Sequence, residues 1–116
     1  MSIKGKVPAG SLAFRIKADF LRALAHPTRL AVIEYLKKGD SSVGRMVGEL
    51  GIEQSALSKH LGILRQAGIL AARQEKANVY YSVKDRDIYE MLRSIAQILR
   101  KKLRESEKIL SSLGRI

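Results

Sequence analysis

Gln54, Ser55, Ser58, Lys59 and His60 crowd one short polar run, each ending in a hydrogen-bonding group. None of them is a nucleophile with a base at its side. The chain has two histidines, no cysteine, and acidic residues scattered along its helices, so no nucleophile–base set can be assembled. No glycine-rich phosphate loop follows a strand. An enzyme is therefore not expected, and there is no catalytic residue or cofactor to assign. Thiolate metal sites, disulfides and cysteine redox switches are excluded with the cysteines. What the run can do is recognise. Glutamine pairs with an adenine edge, serine is permissive, and lysine reaches guanine or phosphate. His60 adds a donor one step further on. The plainer alternatives are that the serines cap a helix and that the histidine packs half-buried.

Charge selects the partner. Lys and Arg total 22 against 11 Asp and Glu, a formal net charge of +11 over 116 residues. Twice as many basic as acidic residues is more than solubility needs, and it favours a polyanion such as double-stranded DNA. A hydrophobic content of 46% suits a folded chain, and the length suits one domain with a modest core that dimerisation would help. No apolar run is long enough to span a membrane. The opening MSIKGKVPAG lacks the apolar core of a secretion signal. The expectation is a cytoplasmic protein with no membrane partner. Residues 1–10 read as a flexible basic arm and residues 11–116 as a single domain.

The elements that must position the polar run follow from periodicity and breakers. Ser11 caps a first helix to about Ala25, with Ala13, Ile16, Phe20 and Leu24 on one face. His26-Pro27 breaks it. A second helix runs from Pro27 to about Lys38, with Leu30, Ile33, Tyr35 and Leu36 as its apolar residues and Gly39 as its stop. Asp40-Ser41-Ser42 is a turn or very short strand. A third helix spans about 43–50, facing Met46, Val47 and Leu50 inward. Gly51-Ile52 is the turn into a fourth helix that ends near Gln66. Leu57, Leu61, Ile63 and Leu64 are its apolar residues, and Arg65 joins Gln54, Ser55, Ser58 and Lys59 on its other face. After Gly68, Ile69–Arg73 and Val79–Val83 read as strands around a tip at 74–78.

A short helix, a tight turn, a polar-faced helix and a basic hairpin predict a winged helix-turn-helix. The fold is mainly α with a small two-stranded antiparallel wing; the helix-turn-helix covers 43–67 and the wing 69–83. That arrangement presents a helix to the DNA major groove and the wing to the backbone beside it. Arg73 and Lys76 suit phosphate or minor-groove contact, or else a solvated hairpin tip. A last helix from Asp85 to about Ser112 spans about 40 Å and carries an apolar seam that includes Leu92, Ile95, Leu99 and Leu103. A domain this small does not cover such a stripe alone. With Ile16 and Phe20 of the first helix, the seam reads as the interface of a homodimer.

ALAHPTRLAVIEYL at 23–36, QSALSKHLGILRQAGIL at 54–70 and VYYSVKD at 79–85 together resemble the ArsR/SmtB family of dimeric winged-helix repressors, over roughly residues 18–100. The resemblance implies a homodimer on an inverted-repeat operator, released by an inducer. It places the DNA-reading positions on Gln54, Ser55, Ser58, Lys59 and His60, and wing contacts on Arg73 and Lys76. It also exposes departures. The family's paired metal-binding cysteines fall on Ser42 and Gly44. Its zinc site between the last helices falls on Asp85, Asp87, Gln97 and Arg100, where a permanent cation repels the metal and glutamine ligates it poorly. Neither family metal site is expected. Asp85, Asp87 and Glu90 could hold a hard cation weakly, but their simpler role is to favour the positive end of the helix. A small-molecule or protein effector, or none, remains. The competing function is a non-specific architectural DNA-binding protein driven by charge.

Overall fold

The computed structural model describes residues 7–114. Most of the expected basic arm lies outside the described residues. Those residues group into two units, one ending at Lys84 and one beginning at Asp85.

The first unit is built by its breakers. Ser11 Oγ accepts from the Phe14 N–H and starts α1, Leu12–Leu24. Pro27 opens α2, Pro27–Tyr35, at the position where its missing N–H goes unused. His26 caps that helix, its Nδ1 accepting from the Thr28 N–H at 3.1 Å. The second helix does not stay α to Lys38 as its apolar pattern suggests. Leu36–Lys38 tighten into a 3-10 turn that Gly39 ends at a φ of 147°. Its buried face also differs. Val32, Ile33 and Leu36 are fully buried, whereas Leu30 is 39% exposed.

Ser41–Ser42 form β1, and Ser42 then caps α3, Val43–Leu50, by accepting from the Arg45 N–H at 3.2 Å. Gly51 takes the left-handed φ of 64° that the chain needs to leave α3. Helix α4, Gln54–Gln66, buries Leu57, Leu61 and Leu64 completely. These meet Val32, Ile33, Leu36, Met46 and Leu70 in the core. β2 is Leu70–Glu75 and β3 is Asn78–Val83. The wing is the antiparallel pair β2–β3, as expected, and of the turn or very short strand expected at 40–42 the strand forms, giving a sheet in the order β1-β3-β2. Ser41 pairs with Tyr81 and Ser42 with Tyr80.

The second unit is α5, Asp87–Leu113, which begins two residues later than expected. Its first turn buries Ile88 and Tyr89. Further along, Ile95, Ile98, Leu99, Leu103, Ile109, Leu110 and Leu113 are exposed. Asp85 accepts from the Asp87 N–H at 2.9 Å, and Glu90 pairs with Arg93. Among the described residues no three ligating side chains converge on a point. No helix there is long and apolar enough to cross a membrane.

Candidate nucleic-acid interface

The buried leucines of α4 fix which residues it shows. With Leu57, Leu61 and Leu64 turned into the core, Gln54, Ser55, Ser58, Lys59 and Arg65 are all exposed. Helical spacing brings 55, 58, 59 and 62 onto one side. Gly62 lies among them, and a Cβ built there would have no neighbour within 4 Å. A glycine inside a helix costs about 1 kcal/mol relative to alanine, and nothing within the first unit crowds this one. Gly62 is absent from the residues that the sequence singles out; its one signal there is a glycine in mid-helix on the polar side.

The start of α4 is tuned by an acid. Glu53 is the N-cap, its carboxylate accepting from the Ser55 N–H at 3.0 Å and from the Ser55 hydroxyl. Those bonds, the hydroxyl's first, hold the Glu53 carboxyl below its ordinary range. Ser55 is thus tied to the cap, with its hydroxyl proton already committed. The carboxylate sits at the leading end of the helix, where a phosphate would meet it with repulsion.

His60 stands apart from the other recognition candidates. It is half-buried. Its Nδ1 accepts from the Arg29 Nε–H at 3.1 Å, and its ring lies 4.4 Å from that of His26. Burial, the nearby His26 and the Arg29 guanidinium push its pKa below 6.5. His60 is thus already engaged by Arg29 within the fold, and its ring is only partly displayed. The cause is the α2–α4 contact: Arg29 lies 31 residues away in sequence.

In the wing, Arg73 is exposed but occupied. Its guanidinium pairs with Asp40, donates to Glu75 at 3.1 Å, and lies 4.9 Å over the Tyr80 ring. The hydrogen bond from Arg73 is the main reason the Asp40 carboxyl is held low. Lys76 is exposed at the hairpin tip with a φ of 57°, a conformation that favours glycine. The structure thus gathers an exposed polar edge on α4 and a basic, carboxylate-latched wing on one unit.

A helix-turn-helix with Gly51 at its turn, an outward polar helix and an adjoining wing define a winged helix-turn-helix DNA-binding domain. Residues 26–72 match the family described as bacterial regulatory protein, arsR family. The chain is 38% identical over 101 residues to the HTH-type transcriptional regulator Rv0081 of Mycobacterium tuberculosis, covering 86% of this chain and 89% of that one. The crystal structure of Rv0081 matches with a TM-score of 0.74 over 82% of this chain and 96% of that chain. A biofilm growth-associated repressor of Agrobacterium fabrum is 39% identical over 79 residues, 66% of this chain and 68% of the relative. A homodimeric winged helix-turn-helix DNA-binding domain from Mycobacterium bovis, 22% identical, shares the fold at a TM-score of 0.72, over 87% of this chain and 94% of that one. This chain belongs to the arsR family of bacterial regulatory proteins. It is a transcriptional regulator and not an enzyme.

Proposed function

We propose that the protein is a homodimeric repressor that binds an inverted-repeat operator in double-stranded DNA. Helix α4 enters the major groove with Gln54, Ser55, Ser58 and Lys59 toward the bases, while Arg65 contacts backbone. Arg73 and Lys76 of the wing take adjacent phosphates. The observation that carries this reading is the exposed polar edge of α4, backed by three fully buried leucines, in a chain of this family. The formal charge of +11 supplies the general attraction to DNA.

The dimer is supported by apolar surface left in water. Ile16 on α1, and Ile95, Leu99 and Leu103 on α5, are 59%, 42%, 52% and 67% exposed. Phe20 and Leu92, both half-buried, complete the expected interface. Exposed apolar residues at this density mark an interaction surface. The two half-sites then fall about one DNA turn, roughly 34–36 Å, apart.

Derepression does not run through the family's metal sites. Ser42 commits its hydroxyl oxygen as the α3 cap, and Gly44 has no ligating atom. Asp85, Asp87, Gln97 and Arg100 include a permanent cation. A small organic ligand, a partner protein or the protein's own concentration is left as the release signal. The site of action is the cytoplasm, where the chromosome lies.

The test is a binding selection on genome fragments at near-physiological salt. One recovered inverted repeat establishes the specific dimeric regulator, and its neighbouring genes point to the signal. A featureless pool means that charge alone binds, and the architectural reading replaces this one.

A further inference from the structure

Arg29, in the first turn of α2, is half-buried and bonds in two directions. Its Nη1 donates to the carbonyl oxygens of Arg22 at 3.3 Å and Ala23 at 3.0 Å, at the end of α1. Those carbonyls form the negative end of the helix, where a cation is favoured. Its Nε donates to His60 Nδ1 at 3.1 Å, in the middle of α4. One side chain therefore ties the end of α1 and the start of α2 to the helix that carries the polar edge.

The bond sets a condition on His60. An imidazole nitrogen accepts only with a free lone pair, so Nδ1 is bare and the ring is neutral, with its proton on Nε2. The Nδ1 of His26 is likewise engaged, accepting from the Thr28 N–H. The groups around His60 are Arg29 from α2, His26 from the α1–α2 junction and Lys59 from α4 itself. All three are cations or can become cations. A proton on Nδ1 turns the acceptor into a donor that faces another donor. It also sets a second positive charge against the guanidinium.

We propose that Arg29 and neutral His60 act as positioning residues that fix the recognition helix, so that protonating His60 blunts discrimination between DNA sequences. The inference rests on α4 being the DNA-reading helix. Base readout needs a helix held at one angle, because paired hydrogen bonds to a base edge tolerate little tilt. Phosphate contacts tolerate far more and carry no sequence information. Loosening the link therefore lowers the ratio of specific to non-specific affinity. Non-specific affinity does not fall with it, since the proton adds positive charge. Simple unfolding would lower both.

The experiment measures binding at fixed salt, at pH 7.5 and at a lower pH at which NMR shows His60 protonated in the folded protein, to the duplex recovered by selection and to a scrambled duplex of equal composition. For the wild type the specificity ratio falls about tenfold at the lower pH, the scale of one base contact, while scrambled binding holds or rises. His60→Asn should make the ratio independent of pH. Its amide oxygen lies as many bonds from the backbone as Nδ1, and it accepts from Arg29 without titrating. His60→Leu should give a low ratio at both pH values. A wild-type ratio unchanged by pH, or a His60→Asn ratio that falls as the wild type's does, overturns the proposal. If the wild type shows no preferred duplex at pH 7.5, the regulator reading fails by itself. The link is then read on the free protein by nitrogen NMR. His60 should have a bare Nδ1 at pH 7.5, and the Arg29 Nε–H resonance should move as His60 titrates below 6.5. An Arg29 signal indifferent to that titration overturns the link whatever the DNA result.

Discussion

Helices α4 and α5 both carry an apolar stripe, and they use it in opposite ways. Every leucine of α4 that points inward is fully buried: Leu57, Leu61 and Leu64 have no exposed surface. On α5 burial stops at Tyr89, and Leu99, Leu103, Leu110 and Leu113 are each more than half exposed. A stripe buried in the core leaves the opposite face displayed, as on the polar edge of α4. A stripe left in water asks for another surface. The same residue type marks fold stability in one helix and, in the proposed dimer, assembly in the other.

The contrast breaks most visibly by truncation. Leu61→Ala should cost about 2–5 kcal/mol of folding stability, as buried leucines do. Leu103→Ala should change folding stability by no more than about 0.5 kcal/mol. Paired with Leu99→Ala, however, it should weaken self-association by at least about tenfold. Thermal melts and sedimentation equilibrium read the two effects. Equal melting losses in both helices would erase the distinction.

The polar edge is tested next. Lys59→Ala should lower affinity for the selected duplex by about 1–3 kcal/mol and narrow its preference over a scrambled one, as the loss of a base contact does. The wing should respond in the other direction to Asp40→Asn. That change frees Arg73 from one of its two carboxylates, so affinity rises, while stability hardly moves because exposed pairs contribute about 0–1 kcal/mol. Unchanged DNA binding in Asp40→Asn would show that Arg73 stays with its own protein in the complex.

The pH dependence of stability is smaller. The folded pKa of His60 lies below its unfolded value of 6.5. Between the two, the unfolded chain binds more protons, so stability rises with pH there and is flat above about 6.5. Its loss on acidification begins just under that value. His60→Asn should remove this part of the profile in a denaturant series.

Gly62→Ala should be the gentlest probe. With open space around the position, alanine should stabilise α4 by up to about 1 kcal/mol. Weaker DNA binding in that more stable variant would show that the glycine serves close approach. Unchanged binding would place it away from the nucleic acid.

Local features were legible in the sequence. The cap at Ser11, the break at His26-Pro27 and the left-handed turns at Gly51 and Gly68 each depend on residues within a turn of one another. The exposed set on α4 followed from its leucine spacing. What escaped depends on distant partners. Nothing near His60 announces Arg29, and nothing near Arg73 announces Asp40, 33 residues before it. At Ser41–Ser42 the sequence left turn and very short strand open, and the distant pairing with Tyr81 and Tyr80 decides for the strand. Lys76 adopts its positive φ without the glycine that would have signalled the turn. Val32, not Leu30, shares the buried face of α2 with Ile33 and Leu36.

Ser42 serves two masters: its backbone is paired in the sheet with Tyr80, and its hydroxyl caps α3. The sheet that carries the wing and the helix that precedes α4 thus share one residue. In the proposed complex, α4 and the wing act as the two jaws of a caliper. Successive phosphates on a strand advance about 3.4 Å along the helix axis, so an operator out of step by one nucleotide misses one of the jaws. The duplex must bend to meet it, and sequences that bend easily gain an advantage at positions no side chain touches.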